Sequence, residues 1–282
     1  MGAARTILIA LPNIGNPFYS TILQAVVAAA SARGYAVLVA ARLSEDPSRW
    51  LSDYLLSNRA DGLLVFDGSL NTTSLHKLAG DAAMLPLVAS YDELPDPQVN
   101  SVLTDNRAAA RRAVRHLVDL GHRRLMHVHG ATRNTAPHER LVGFLEERDA
   151  AGLEPNSEWI IPGDFTMSAG IAAADRIAAM RERPTAVFTG NDEMAIGLIS
   201  RLRELDIDCP GQLSVIGFDD IAVARHFAPP LTTIRQLRED IGRLATEGLI
   251  DIIEGRRQGK EPLHVVLESP LVVRKTTAPP AG

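Results

Sequence analysis

Cysteine and an excess of positive charge are the two features that this 282-residue sequence most clearly lacks. Its single cysteine, Cys209, cannot form an intramolecular disulfide, which is typical of a protein from a reducing compartment. The formal net charge of -5 at pH 7 argues against this chain alone binding a nucleic-acid backbone, because such binding usually requires a basic face. That net charge is compatible with a local basic patch. We therefore expect a cytoplasmic protein.

Long hydrophobic runs are absent as well. The apolar run closest to the N-terminus, residues 7–11, stops at Pro12, is shorter than the core of a secretory signal and is followed by no cleavage pattern. No other segment approaches the roughly 18 apolar residues that a membrane-spanning helix needs. The sequence therefore predicts neither a signal peptide nor contact with a membrane.

The common enzyme motifs are missing too. There is no G-x-S-x-G nucleophile turn and no G-x-G-x-x-G after the first apolar run. The segment closest to a phosphate loop, GRRQGKE at 255–261, has the wrong spacing of glycines and no Ser or Thr after Lys260. His127 and His129 share one face of a strand, but no acid or cysteine stands beside them at ligand spacing. We therefore expect no enzyme activity, no cofactor and no metal site.

Short, continuous apolar runs are what the sequence does contain. Strands that are apolar on both faces are typical of parallel sheets covered by helices, and helical periods lie between these runs. The pattern predicts an α/β protein, and the number of units favours two doubly wound lobes. The runs are TILIAL (6–11), AVLVA (36–40), GLLVF (62–66), PLVAS (86–90), RLMHVHG (124–130), AVFTG (186–190) and SVIGF (214–218).

The helices have recognisable ends. Asn16 before Pro17 and Asp46 before Pro47 are each a capping residue followed by proline in the first turn. Gly34 and Gly121 stand where left-handed C-terminal caps are expected.

Polar residues directly after the strands are the candidates for ligand contacts, because ligands of open α/β sheets bind beyond the carboxyl ends of the strands. Capping explains Asn16 and Asp192 better than binding does, whereas Asn191 and Asp219 fit either role equally well. Only one of Phe18 and Tyr19 is expected to face the core, since neighbours on a helix point about 100° apart. Carboxylates, amides and aromatic rings without a nucleophile suit a polyhydroxylated ligand. The candidates are Asn16, Phe18, Tyr19, Asp92, Asn191, Asp192, Asp219 and Asp220.

Seven motifs in fixed order give the sequence a resemblance to the lactose repressor family of bacterial transcription regulators (LacI/GalR type), from about Arg5 to Thr276. They are LPNIGNPFYSTIL, ADGLLVF, SVLTDNRAAARRAVRHLVDLGHRRLMHVHG, ERLVGF, PTAVFTGNDEMAIGL, GQLSVIGFDDI and PPLTTIRQ. The likeness covers the effector-binding core of that family.

The resemblance implies two Rossmann-like lobes of the periplasmic-binding-protein type. Three crossovers near Asp105, Arg235 and His264 would join them. The N-terminal lobe would comprise residues 5–104 plus 236–263, and the C-terminal lobe residues 105–235 plus 264–276.

The resemblance also implies which residues would bind the effector between the lobes. Arg140 is included on this ground alone, because an arginine early in an amphipathic helix otherwise indicates a solvated charge. The implied set is Asn16, Phe18, Tyr19, Asp92, Arg140, Phe165, Asn191, Asp219 and Gln236. The implied partners are a small, carbohydrate-like effector, a second copy of the chain bound chiefly through the first lobe, and operator DNA.

Two departures from the family pattern stand out. Only MGAA precedes Arg5, where family members carry a helix-turn-helix of roughly 60 residues that reads the operator. The chain is either truncated or a member without DNA binding, and we favour truncation. Glu93 follows Asp92 where the family more often has arginine, which changes the charge beside the expected ligand.

Two other classes of protein remain as alternatives. A solute-binding protein of a sugar transporter would share the fold, but the absence of a signal peptide argues against it. A doubly wound enzyme is third, and the missing nucleophile, phosphate loop and metal ligands argue against that.

Overall fold

The computed structural model describes residues 4–41, 59–66, 86–90, 99–131, 135–257 and 261–281. The chain forms two compact units, each made of two separate stretches of sequence. The N-terminal unit comprises Met1–Thr104 and Leu237–Leu267, and the C-terminal unit comprises Asp105–Gln236 and Glu268–Gly282. None of the described helices is long and apolar enough to cross a membrane.

Strands and helices alternate along most of the described chain. In chain order they are β1 (Thr6–Leu11), α1 (Pro17–Ala32), β2 (Ala36–Ala41), β3 (Gly62–Val65), β4 (Leu87–Ala89), β5 (Asn100–Thr104), α2 (Asn106–Asp119), β6 (Leu125–His129), α3 (Thr135–Ala150), a 3-10 turn (Ser157–Trp159), β7 (Ile160–Pro162), α4 (Met167–Ala179), β8 (Ala186–Thr189), α5 (Asp192–Glu204), β9 (Ser214–Asp219), β10 (Thr232–Arg235), α6 (Arg238–Ile253), β11 (His264–Leu267) and β12 (Leu271–Val272).

Each unit is built around one sheet of six described strands. In the N-terminal unit the order is β11-β5-β4-β3-β1-β2, and every neighbouring pair is parallel. In the C-terminal unit the order is β12-β10-β9-β8-β6-β7, with only the short β12 antiparallel to its neighbour. The predicted α/β architecture with two doubly wound parallel sheets is confirmed.

The sheet of the C-terminal unit is buried on both faces, which explains why its strands are continuously apolar. Val128 and Val187 belong to a core shared with α4 and α5, whereas Phe188 and Phe218 belong to a second core shared with α2 and α3. Because adjacent strand residues point to opposite faces, most positions of a strand between two such layers take apolar side chains. Most of the candidate site residues of the unit therefore lie at strand ends, whereas His127 in β6 and Thr233 in β10 are polar residues buried within strands.

The predicted helix ends agree with the structure where it describes them. Asn16 caps α1 by accepting a hydrogen bond from the Phe18 backbone N–H (2.8 Å), and Pro17 is the first residue of the helix. Gly34 and Gly121 follow α1 and α2 with φ angles of 74° and 97°. The predicted cap at Asp46 lies outside the described residues.

The structure divides the chain differently from the predicted lobes at two boundaries. β11 pairs in parallel with β5, so His264–Leu267 belong to the N-terminal unit rather than to the C-terminal one. The last passage between the units is therefore between Leu267 and Glu268. Gln236 belongs to the C-terminal unit, because it follows β10 directly and hydrogen-bonds to Asp219 at the end of β9.

Candidate ligand-binding site

The carboxyl end of β9 carries two adjacent aspartates with different surroundings. Asp220 accepts hydrogen bonds from Arg235 Nε (2.7 Å) and Arg274 Nη2 (2.6 Å), so its charge is balanced by two guanidinium groups. Asp219 is buried, with 4% of its surface exposed, and its Oδ1 accepts a hydrogen bond from Gln236 Nε2 (2.7 Å). The Asp219 carbonyl also accepts from the Gln236 backbone N–H (3.4 Å). Asp219 is thus held by the segment that follows β10.

Arg140 of α3 is buried beside this strand end, with only 6% of its surface exposed. Its Nε donates to Asn106 Oδ1 (2.8 Å) and its Nη1 donates to the Gly190 carbonyl (2.5 Å). The guanidinium carbon lies 3.6 Å from the centroid of the Phe218 ring, a cation–π contact that fixes the plane of the group. The interpretation of Arg140 as a solvated charge is therefore wrong. The guanidinium is a fixed positive group at the strand ends.

Asn191 links two segments through its side-chain amide. Its Oδ1 accepts from the Met194 backbone N–H (3.0 Å), which caps α5, and its Nδ2 donates to the Phe165 carbonyl (3.1 Å). Asn191 thus has the capping role that the sequence left open. An amide oxygen has a second lone pair and an amide nitrogen a second hydrogen, so capping leaves capacity for a ligand.

Phe165 stands in a strained backbone conformation at the same edge. Its φ angle is 70°, a region that bulky side chains rarely occupy. The ring packs against Gly130, where an added Cβ would lie 2.0 Å from the ring atom Cζ. The Arg140 guanidinium carbon is 6.0 Å from the ring centroid. Gly130 and Asn191 together hold this half-buried ring next to the arginine.

Asp192 is the first residue of α5 and does not cap the helix, so that prediction is wrong. Its side chain is fully buried and reaches across to β9 and β10. Oδ2 accepts from the Ile221 backbone N–H (2.8 Å), and Oδ1 accepts from Thr233 Oγ1 (2.5 Å). Burial, reinforced by the charge of Asp219, raises the pKa of Asp192 to about 7, while these hydrogen bonds act in the opposite direction. Asp192 therefore fixes the turn that contains Asp219.

The remaining predicted residues belong to the N-terminal unit. Asn16 caps α1, and the rings of Phe18 and Tyr19 meet edge to face with centroids 5.0 Å apart. Both rings contact the core of that unit, so the expectation that only one would do so is wrong. Each ring is half-buried, which lets both touch the core with part of their surface. Asp92 and its neighbour Glu93 lie outside the described residues.

Comparison with known proteins places the chain in a family. Residues 114–277 match the family model for a periplasmic binding protein-like domain. HTH-type transcriptional repressor PurR from Vibrio vulnificus (strain CMCP6) is 33% identical over 274 residues, which are 96% of this chain and 81% of that protein. The chain belongs to the LacI family of transcriptional regulators.

Two further members of the family support this assignment. HTH-type transcriptional repressor CytR from Escherichia coli (strain K12) is 31% identical over 97% of this chain and 80% of its own length. The solved complex of the transcriptional regulator CelR with cellobiose superposes with a TM-score of 0.87 at 31% identity, covering 96% of this chain and 84% of that one. These relatives are regulators rather than enzymes, and the chain corresponds to their effector-binding core.

Three residues that shape this candidate site did not emerge from the sequence in their actual roles. Asn106, the second residue after β5 and the first of α2, orients Arg140, and the strand-end rule could have identified it. The Phe218 ring packs against the Arg140 guanidinium, but an apolar residue in an apolar strand gives no sign of such a contact. The sequence identifies Asp192 as a polar residue at a strand end but predicts helix capping, whereas its side chain hydrogen-bonds to the turn after β9.

Proposed function

We propose that this chain is the effector-sensing core of a bacterial LacI-type regulator that binds a sugar or sugar derivative between its two units and thereby controls operator binding in the cytoplasm. The observation that carries the proposal is the convergence of Asp219, Arg140, Asn191, Gln236 and Phe165 at the strand ends of one sheet.

The chemistry of these side chains suits a polyhydroxylated ring. A carboxylate accepts and a guanidinium donates paired hydrogen bonds, so Asp219 and Arg140 together match neighbouring hydroxyl groups. An aromatic face such as that of Phe165 covers the apolar C–H side of a sugar. The likeness to the CelR–cellobiose complex supports a carbohydrate ligand.

Effector binding would act by differential affinity for two arrangements of the units. Asn16, Phe18, Tyr19 and Asp92 belong to the N-terminal unit, and the other five proposed contacts belong to the C-terminal unit. A ligand that uses both groups binds a closed arrangement more tightly than an open one, and only such a difference shifts the equilibrium. In the intact regulator that shift would change the spacing of the DNA-reading domains.

A ligand screen followed by calorimetry tests this function. We expect sugars or sugar derivatives to raise the melting temperature, because a ligand at a hundredfold excess over Kd stabilises the folded state by about 2.7 kcal/mol. The panel should contain sugars, sugar phosphates and purines, since a planar base could also stack on Phe165. Stabilisation by purines alone would overturn the carbohydrate assignment.

Asp219→Ala tests the site with the ligand that the screen identifies. Removing a charged hydrogen-bond partner should lower affinity by about 1.5 to 3 kcal/mol, measured by isothermal titration calorimetry. Asp175→Ala is the matched control, since Asp175 is a more exposed carboxylate paired with Arg201. Equal affinities of Asp219→Ala and the unmodified protein would remove Asp219 from the site.

A further inference from the structure

A pocket of about 390 Å³ lies against α2, on a different part of the C-terminal unit from the side chains described above. Among the described residues, those that line it are Ala108, Arg111, Arg112 and Arg115. These residues share one face of the helix, since positions three and four apart lie above one another. Three arginine side chains thus line a single depression in a chain of net negative charge.

The direct ion pairs leave an excess of arginine on this helix face, although Asp119 also acts on Arg115 from a greater distance. Arg111 Nε (3.1 Å) and Arg115 Nε (2.7 Å) each donate to a different oxygen of Glu147, which is almost fully buried. Arg107, one turn earlier, pairs with Glu146. Arginines of this helix face therefore outnumber the carboxylates that contact them by two, because Arg112 pairs with no acid among the described residues.

The hydrogen bonds leave the terminal nitrogens of two arginines available. Within the part of the chain that the structure describes, Arg111 and Arg115 use only Nε in hydrogen bonds and ion pairs. Their side chains are 47% and 59% exposed. Glu147 pairs with the Nε side of both Arg111 and Arg115. The Nη side of each guanidinium is therefore oriented even without a ligand.

Arg112 is fixed by the segment that precedes β12. Its Nη1 donates to the carbonyl of Ser269, a residue with 1% of its surface exposed. The buried Ser269 Oγ has no hydrogen-bond partner among the described residues. Ser269 is the second residue after the chain crosses between the units for the last time. Helix α2 begins at the second residue after the chain first crosses between them.

We propose that this arginine pocket binds a phosphoryl dianion, either inorganic phosphate or the phosphate group of a small ester. Planar guanidinium groups with paired N–H donors match phosphate oxygens, and an excess of two positive charges balances a group that carries about two negative charges at neutral pH. The cavity has room for a small organic group beside the phosphate. The site is distinct from the proposed effector site, and its occupant would contact elements that adjoin two of the three passages between the units.

Calorimetry on the full chain tests this site with inorganic phosphate and glycerol 3-phosphate, and glycerol serves as the unphosphorylated control. Ionic strength is held constant with potassium chloride, because salt screens exposed charges. We expect both phosphates to bind and glycerol not to bind. Equal affinity for the two phosphates identifies the free anion as sufficient, whereas tighter binding of the ester identifies a phosphorylated metabolite. Failure of both phosphates to bind at millimolar concentration overturns the proposal.

Variants assign the binding to the pocket. Arg112→Gln and Arg115→Gln should each weaken phosphate binding by roughly tenfold, the loss expected for one charged hydrogen-bond partner. Arg115→Lys keeps a positive charge near Glu147 but lacks the fork, so it should fold and still bind more weakly than the unmodified protein. Arg201→Gln, which removes an arginine that pairs with Asp175 and Glu204 on another surface, is the control and should bind normally. Unchanged binding in Arg112→Gln and Arg115→Lys, or equal weakening in Arg201→Gln, overturns the assignment.

Discussion

Three of the five described non-glycine residues with positive φ angles lie at the strand ends of the candidate effector site. Asp219 and Asp220 have φ angles of 125° and 56°, and Phe165 has 70°. Such conformations are unfavourable for residues other than glycine and persist only where surrounding contacts impose them. Asp192, Gln236 and Asn191 supply those contacts through hydrogen bonds to Ile221, Asp219 and Phe165. The buried polar network therefore holds these residues in backbone conformations that they would not adopt without those hydrogen bonds.

Asp192 should make stability depend on pH in an unusual direction. Its folded pKa of about 7 lies above the ordinary value of an aspartate, so the folded state binds an additional proton between about pH 4 and 7. The stabilisation from that proton is present at low pH and is lost as the pH rises through 7. Burial raises the pKa of Asp192 most and the charges of Asp219 and Asp220 add to it, whereas the hydrogen bonds from Thr233 and the Ile221 N–H lower it.

Urea unfolding at pH 5 and pH 8 measures this effect. We expect Asp192→Asn, which cannot ionise, to lose less stability between these pH values than the unmodified protein does. Asp149→Asn, at an exposed position paired with Arg148, should leave the pH dependence unchanged. A pH dependence in Asp192→Asn equal to that of the unmodified protein would show that Asp192 does not titrate in this range.

The sequence indicated the positions of some site residues and concealed others for physical reasons. Asn191 and Asp219 could be identified because parallel strands deliver whatever follows them to one edge. The burial of Arg140 could not be identified, because it depends on Gly190, Asn106 and Phe218, which come from three other segments. Whether these residues bind an effector stays a prediction.

At the scale of elements, α4 and α5 approach closely because glycine occupies the contact on both helices. A Cβ at Gly170 would lie 2.0 Å from the Met194 carbonyl oxygen, and one at Gly197 would lie 2.2 Å from the Met167 carbonyl oxygen. Both contacts are with backbone atoms, which cannot rotate away as a side chain can. The packing of α4 against α5 therefore requires glycine at both positions.

Gly197→Ala should destabilise the protein by about 1 to 3 kcal/mol, the usual range for overpacking, although alanine favours the helix itself. The control is Gly248→Ala on α6, where the new Cβ meets only the end of the Leu263 side chain, 2.4 Å away, which can rotate. Thermal unfolding of both variants provides the comparison. Equal melting temperatures for the two variants would contradict the proposed role of the glycine contact.

Strand periodicity predicted where the strands lie better than it predicted which strands pair with each other. Continuous apolar runs identified most of the buried strands. The run at 36–40 is an exception, because it forms β2, where Leu38 and Val39 are exposed. The edge strand β11 has exposed and half-buried residues in alternation, and its sequence does not specify which sheet it joins. Its pairing with β5 is determined by tertiary contact, which is why the predicted boundary at 264 was wrong.

At the scale of the whole molecule, we expect a homodimer. Both units expose large apolar side chains, Val27 and Val39 in one and Met167, Ile171 and Val223 in the other. Met167 and Ile171 are four residues apart on α4 and so share a face. Exposed apolar residues in both units lead us to expect an interface that extends beyond the first lobe. Sedimentation at micromolar concentration should give a species near twice the chain mass of 30.4 kDa, and a single species of monomer mass would contradict this expectation.

Closure of the two units around the effector is the whole-molecule consequence of the proposed site. Moving a population from 1:99 to 99:1 requires about 5.5 kcal/mol of preference for the closed arrangement. Only contacts that form in the closed arrangement and not in the open one count toward this preference. Two charged hydrogen bonds of about 1.5 to 3 kcal/mol each plus one stacked ring reach it.

Small-angle scattering with and without saturating effector should show a smaller radius of gyration in the bound state. Asp219→Ala at an effector concentration that saturates it supplies the control, since fewer contacts to the C-terminal unit should favour closure less strongly. An unchanged radius of gyration, together with ligand-free scattering that does not fit a closed form, would exclude closure as the signal. The effector would then have to act on operator binding through changes within one unit, because differential affinity between two arrangements of the units would be absent.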